Sequence, residues 1–545
     1  MTVTMMLTPC IARSLGLELV DQPEESTEAS MSSEVTFIPL NDRLPPDVLS
    51  DIFVSHAKDC FDAQQIGSRF HWILLSHVCH QWRAVALFTP RFWSYLHLLR
   101  PAVFAALLER SKSVPLHISI TADDKAFEYI EDTLELVRNE WHRVQKFRLA
   151  APAWEVHDFC RMLSMPGARL ETLVLIDNES IANGKSGSKL PLLLAKDKDA
   201  SLFPHLRHLE LRLMPFKWTD PIFRCPVTTL RVSGRFSRTP GVRIRPAMGT
   251  FEQLISALAH LAPTLTELDL QESIPRILPW VRTDDSNLPT VALPSLRLLR
   301  LVGYACDCTR LMNHLALPAS TRIRFVCYDT DEPRTGARDI LKPLSRHTVD
   351  TGTGEPLQSL HLKRHSIRAR LTLRAWTTRE PGSKADAVLE ISFRSFHEVV
   401  SLNTVLIEGG ALFASVHTIV FDGFGSNSLI GLIAWNIRSG SGQRVVVLPN
   451  LKTLELRSVP LGVRTTSTPI LTRGAMYVNV TLGWLQARRE HGVALHALRI
   501  VKCANVSEEV IARLKEGGAD VWWDGARLKR YVEDDSGSES ESVLG

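Results

Sequence analysis

The sequence predicts an α/β protein in which a small helical module precedes a long, irregular solenoid with a curved parallel sheet. Three observations carry this. Between Ile38 and Tyr95 apolar residues recur at helical spacing, beyond Arg100 the pattern Leu-x-x-Leu-x-Leu returns repeatedly, and stretches between its copies read as helices. A chain of 545 residues is long for one compact domain, so two or more units or one extended array are expected. The organisation expected is a disordered segment at 1–36, a helical module at 37–100, a repeat array at 101–530 and a disordered acidic stretch at 531–545.

The first helix starts at Leu44-Pro45-Pro46-Asp47. Proline lacks an N–H and has the φ of a first turn, and Asp47 suits the positive end of the helix. Val48, Leu49, Ile52 and Phe53 then share one face. A second helix is predicted from about Trp72 to Leu87, with Leu75, Val78, Cys79, Trp82 and Ala86 as a continuous stripe. Thr89-Pro90 ends it, and Phe92-Trp93 close the module. A polar insertion, Lys58 to Arg69, lengthens the connection between the two helices. His77-Val78-Cys79-His80 lacks a second ligand pair, and Cys306-Asp307-Cys308 lacks the spacing of a closed zinc site, so no metal is expected at either.

Leu44-Pro45-Pro46-Asp47-Val48-Leu49-x-x-Ile52-Phe53, then Leu75-Ser76-x-Val78-Cys79-x-x-Trp82-Arg83-x-Val85-Ala86, then Pro90-x-Phe92-Trp93, resembles the F-box-like domain common in large fungal receptor families. In that family the Leu-Pro start and the apolar face of the following helices insert into a Skp-type adaptor. The resemblance therefore implies adaptor contacts at Leu44, Pro45, Val48, Leu49, Ile52 and Phe53. Val78, Trp82 and Val85 would either pack the module or touch the adaptor. It also implies membership of a Skp–cullin ubiquitin ligase complex.

Four segments beyond the module match Pro-x-Leu-x-x-Leu-x-Leu: Pro204 to Leu211, Pro263 to Leu270, Pro294 to Leu301 and Pro449 to Leu456. Copies at Leu170, Leu357 and Leu495 keep the core without the proline, and looser ones begin at Val144, Val227, Ser320, Val388 and Val416. The spacing places alternating leucines on one face of a short strand, which stacked copies bury together. The array is read as a long, irregular leucine-rich repeat. Helices are expected between strands. Thr250-Phe251-Glu252-Gln253 and Ser395-Phe396-His397-Glu398 fit the capping box, and Leu254, Leu258 and Leu261 continue the first. The stretch from Leu482 to Asp524 closes the array and is similar to the leucine-rich-like region that accompanies this kind of F-box.

Arg207, Glu210, Arg212, Glu267, Asp269, Arg297, Arg300, Lys452, Glu455 and Arg457 lie between or beside the leucines and are expected to face outward. Their mixed signs fit a protein-binding face better than a phosphate-tracking one, so no nucleic acid is expected. The formal net charge is only +4, although Glu533 to Ser542 carries five acids and no base. Asp535-Ser536-Gly537-Ser538-Glu539-Ser540 resembles a phosphodegron that F-box receptors read, and a solubilising acidic stretch is the simpler reading.

Nine scattered cysteines do not make a disulfide framework, so reduced thiols in the cytosol or nucleus are expected. No secretory signal and no run of about twenty apolar residues is present, so no membrane is expected. Nucleotide, metalloprotease and serine-hydrolase motifs are absent. Gly423-Phe424-Gly425 reads as a turn, and Ser439 to Gln443 as a loop without a phosphate-holding lysine. The expected function is that of a cofactor-free, non-enzymatic substrate receptor of a cullin–RING ubiquitin ligase. The alternative is a protein-interaction scaffold with no role in ubiquitination.

Overall fold

A computed structural model describes residues 44–63, 70–122, 129–162, 167–178, 203–234, 249–275, 287–328, 340–341, 343–345, 355–365, 370–394, 406, 409–424, 437–438, 444–445, 448–459, 461 and 473–526. The segment 1–36, the capping-box candidate Ser395–Glu398, the loop Ser439–Gln443, Gly425 and the acidic stretch 533–542 lie outside these residues.

Two α-helices open the described chain, α1 (Pro46–Ala63) and α2 (His80–Phe88). The predicted second helix is not continuous. A 3-10 helix spans His71–His77, the chain breaks at Val78 and Cys79, and α2 begins after Cys79 in extended conformation (φ −154°, ψ 173°). Cys79 leaves the apolar stripe, is exposed, and caps α2 by accepting the Trp82 N–H at 3.4 Å. The polar insertion is also shorter than expected. Lys58–Ala63 form the last turns of α1, with Cys60 and Phe61 buried, and 64–69 lie outside the described residues.

Sixteen strands then build one sheet, in the order β1 (Tyr95–His97), β2 (Leu116–Thr121), β3 (Val144–Ala151), β4 (Thr172–Asp177), β5 (His208–Arg212), β6 (Thr229–Ser233), β7 (Glu267–Gln271), β9 (Leu298–Tyr304), β11 (Arg322–Tyr328), β14 (Leu389–Arg394), β13 (Arg370–Trp376), β12 (Ser359–His365), β15 (Thr418–Asp422), β18 (Thr453–Arg457), β19 (Ala497–Val501) and β20 (Asp520–Trp523). The short strands β8 (Val291–Ala292) and β10 (Leu315–Ala316) pair separately, as do β16 (Ile437–Arg438) and β17 (Arg444–Val445). Among the described residues the large sheet does not close into a barrel, and only β13 runs antiparallel to its neighbours. Helices α3 (Pro101–Arg110), α4 (Ile130–Asn139), α5 (Ala153–Met162), α6 (Phe251–Leu261), α7 (Ala305–Asn313), α8 (Arg473–Glu490) and α9 (Glu508–Lys515) lie between strands in the sequence. Thr250 and Gln253 form the predicted capping box of α6, and Leu254, Leu258 and Leu261 are buried beneath it.

Every Leu-x-x-Leu-x-Leu copy meets this sheet, including the loose ones. The first position precedes the strand, except at Val144, which opens β3, and the second and third positions, apolar in every copy, alternate along the strand. Register aligns them into an unbroken apolar row: Leu96, Ile118, Phe147, Leu173, Leu209, Leu230, Leu268, Leu299, Ile323, Leu389, Ala375, Leu360, Ile419, Leu454, Leu498 and Val521. No member is more than 7% exposed. Each fully buried leucine contributes about 1.5–3 kcal/mol, which no isolated strand could realise.

The backbone repeats too. The residue after the first leucine of a copy offers its carbonyl to two consecutive N–H groups of the next copy in the sheet. Thus Arg207 accepts from Thr228 and Thr229, Thr228 from Thr266 and Glu267, and Lys452 from His496 and Ala497, all at 2.7–3.0 Å. At the other strand end Leu213, Glu272, Ser458 and Lys502 adopt φ of 50–59°, and Gly423 φ of 76°. Left-handed backbone costs a non-glycine residue on the order of 1–3 kcal/mol. The N–H groups of Leu213, Glu272, Gly423 and Ser458 donate to the neighbouring strand, while that of Lys502 donates to the Asp524 carboxylate. At Gly423 a side chain is excluded as well, because a Cβ would lie 2.9 Å from the Arg364 carbonyl oxygen.

Two features depart from the predicted array. The sheet starts at Tyr95, ahead of Arg100, and one continuous core runs from Leu49 and Phe53 to Val521. The copies at Leu357 and Val388 also enter in inverted order. The chain passes from β11 to β12, returns through β13, and fills the gap with β14. The Val388 copy is two residues out of step, since Ile323 pairs with Leu389 and Phe325 with Ile391. Strand β13 lies between copies and supplies Leu371, Leu373 and Ala375 to the core.

Leu268 and Glu267 are neighbours on opposite faces of β7, and they should answer substitution differently. Leu268→Ala is expected to cost about 2–5 kcal/mol and Glu267→Ala no more than about 0.5 kcal/mol, read from chemical denaturation. Equal losses would contradict the assignment of faces.

Candidate interaction surfaces

Two surfaces stand out, one on the helical module and one on the sheet face opposite the apolar row. The module is held by aromatic packing. Phe53 lies 5.2 Å from Trp82 and 5.6 Å from Phe92, and Phe92 meets Trp72 and Trp93 at 4.8 and 5.0 Å, ring centroid to centroid. The buried Trp93 indole donates to the Ala86 carbonyl at 2.7 Å, and the Arg110 guanidinium lies 4.7 Å above its ring. Mixed aromatic edges and faces of this kind add to the area they bury.

The residues proposed for partner contact divide into two groups. Leu49 and Phe53 are 1% and 0% exposed and pack the module itself, as does Val85. The three- and four-residue spacing places Leu49, Phe53 and Ala57 innermost, with Val48 and Ile52 at the edge of the stripe. Pro45 and Val48 are exposed, while Leu44, Ile52, Val78 and Trp82 are partly exposed. Three apolar side chains were missed: Leu74, Leu87 and Phe88, exposed by 61, 44 and 83%. Their signal was present in the sequence, because all three lie off the apolar stripe, where a soluble helix ordinarily carries polar residues.

On the sheet, register sets a second row between the apolar ones: Glu210, Arg231, Asp269, Arg300, Arg324, Glu390, Arg374 and His361, then Val420, Glu455, Arg499 and Trp522. Arg300 meets Asp269 at 3.3 Å, Arg231 meets Glu267 at 3.4 Å and Arg374 meets Glu390 at 3.1 Å. Arg457 pairs with Glu455 at 2.5 Å, Arg212 and His208 both pair with Glu210, and Lys363 and His361 share Asp422 at 3.1 and 3.5 Å. Glu210 and Glu455 lie on the outward face but are buried there, because neighbouring cationic side chains cover them. Arg207, Arg212 and Arg297 are exposed, and Asp269, Arg300, Lys452 and Arg457 partly so. Toward β3 and β4 the same face turns apolar, with Ala150, Val174 and Ile176 buried as a separate cluster.

Burial pushes the Glu210 carboxyl up, but hydrogen bonds from His208 and Arg212 outweigh it and hold the group at about 2. At Asp422 burial is likewise outweighed by hydrogen bonds from His361 and Lys363, and the group again lies at about 2. For Asp269 burial prevails over Arg300 and Gln271, so its carboxyl lies above the usual range. Among the described residues no group of three His, Cys, Asp or Glu side chains is placed to hold a metal ion, and no helix is long and apolar enough to cross a membrane. No family model matches the chain, and no curated protein matches it.

A largely buried histidine lies at the seam between module and sheet. His117 stacks on Tyr95 at 4.8 Å with the ring edge of Phe61 nearby. Burial, then the nearby cations Lys146, Lys58 and Arg91, lower His117 from 6.5 to about 4. The folded protein thus holds the neutral ring. Its stabilisation is complete above pH 6.5 and is lost as the pH falls toward 4, at most about 3 kcal/mol. The carboxylates of Glu210 and Asp422 act lower, their contribution fading between the unfolded carboxylate range and pH 2. Thermal denaturation at pH 7 and pH 4.5 should therefore show a smaller loss of stability in His117→Phe than in the unaltered chain. Identical losses in the two proteins would rule this out.

Proposed function

We propose that the chain is the substrate-recognition subunit of a cullin–RING ubiquitin ligase. The module binds a Skp-type adaptor in the manner of an F-box, and an irregular leucine-rich-repeat solenoid with a curved sheet holds a target protein. The protein acts in the cytosol or nucleus and makes or breaks no covalent bond itself. Its contribution is proximity: holding a target beside a charged ubiquitin-conjugating enzyme raises the effective concentration of the target's lysines.

The observation that carries the reading is the module's surface. Behind the Leu44-Pro45 start, Val48, Leu74, Leu87 and Phe88 stay exposed although the module has a filled core of its own. Apolar side chains left outside a packed aromatic interior are what a partner's groove would cover. The ion-paired sheet face, on the same chain, offers a separate surface for a target.

Binding of purified chain to a Skp-type adaptor tests the reading. Joint substitution of Leu44, Pro45 and Ile52 by Asp or Ala, and separately Phe88→Asp, should each weaken binding by at least about tenfold, or about 1.4 kcal/mol. Phe88 is the better probe because its exposure leaves the fold intact. Undiminished binding in both variants would sink the adaptor assignment. Adaptor binding without co-recruitment of a cullin would instead favour the non-ubiquitinating scaffold.

A further inference from the structure

The ion pairs of the sheet face are not symmetric about the surface. Glu210, Asp269, Asp422 and Glu455 have side chains only 9–14% exposed, whereas their partners Arg212, Arg300, Lys363 and Arg457 are 40–49% exposed. Short acids sit close to the backbone, and long cationic side chains fold over them with their outer N–H groups still toward solvent. Three pairs differ: Arg231 and Glu267 are both exposed, at 46 and 39%, Arg374 and Glu390 are both covered, at 18 and 12%, and Arg499, 44% exposed, meets the still more exposed Glu380 at 3.6 Å. A row that is nearly neutral in count therefore presents mainly cationic donors outward. Guanidinium has five N–H donors, and one internal carboxylate engages two of them at most. The row ends at Trp522, which is 54% exposed on the strand next to Arg499.

We infer that this face takes an acidic polypeptide segment carrying an apolar or aromatic residue, the carboxylates on the outward guanidinium groups and the apolar residue on Trp522. The inference deepens the receptor reading by naming the chemistry of the target, and it rests on that reading for the word target. Charge complementarity selects the occupant. A carboxylate adds a second acceptor to an arginine whose first is already in place, and a flexible peptide can set its acids apart to match. A nucleic-acid backbone brings a phosphate at every nucleotide. It would meet the carboxylates seated between the cations, and paired cations release few counterions. An exposed tryptophan beside arginine is also the composition of a protein-binding hot spot.

The test is fluorescence anisotropy of the full chain with a fluorescein-labelled peptide of alternating glutamate and serine around one tryptophan. A lysine-for-glutamate peptide and a thymidine oligonucleotide of matching charge serve as controls. The glutamate peptide should bind best and weaken with salt, a readout on the unaltered chain that needs no variant. Arg212→Gln with Arg457→Gln, and separately Trp522→Ala, should each weaken it by about fivefold or more, with melting midpoints checked in parallel. No binding of the glutamate peptide, equal binding of the oligonucleotide, or unchanged affinity in both variants that fold would overturn the inference. The chain's own acids at 533–541 are a competing occupant. Binding that emerges only after Glu533, Asp534, Asp535, Glu539 and Glu541 are replaced by their amides would assign the face to that segment and overturn a target in trans. None of these readouts involves the Skp-type adaptor, so loss of one binding activity leaves the other measurable.

Discussion

Everything in this fold depends on leucines that no single strand can bury. A strand of five residues offers two side chains to one face, too few to offset the ordering of its own backbone. Here Leu209 is covered because Leu173 and Leu230 stand on either side of it in register, and each of those is covered in the same way. The shared carbonyls of Arg207, Thr228 and Lys452 lock that register, since a slip by one residue would turn every leucine to the charged face. Burial and backbone bonding therefore specify the same alignment.

The opposite face follows from that alignment. With alternate positions committed to the core, the remaining ones fall into cross-strand rows, and acids and bases from distant parts of the sequence become neighbours. Asp269 and Arg300 meet across a strand pair, and Arg374 reaches Glu390 because β13 runs backwards between β12 and β14. The helical module adds a different surface to the same core. Phe61 lies 5.7 Å from Tyr95, so α1 rests directly on the first strand. The surface of the module and the charged face of the sheet therefore rest on one continuous core.

Much of this was legible in the sequence, at the level where short-range chemistry decides. The leucine positions, the capping box at Thr250 and the aromatic closure at Phe92-Trp93 all follow from spacing or from a local hydrogen bond. The order of the copies at Leu357 and Val388 did not, because pairing partners are chosen over long range and each copy carries the same signal. Strand β13 was hidden for a related reason: Leu371, Leu373 and Ala375 alternate without the leading leucine. In the module, the break at Val78 and Cys79 was missed because apolar periodicity continues across it while the backbone turns. The outward bias of the cations was also invisible, since spacing assigns a residue to a face but not its height above it.

The inversion at β12–β14 has a consequence for how the chain comes off the ribosome. Most strands can join an edge that is already formed, soon after their own synthesis. The edge of β11 is different, because its partner β14 begins about sixty residues later and β12 and β13 emerge first. At about 5–20 residues per second that edge waits some 3–12 seconds with its backbone groups unpaired. An unpaired parallel edge is the part of a nascent sheet most open to joining another chain. Among the interior edges of this sheet, that of β11 therefore waits longest for its partner, from Tyr328 to Leu389.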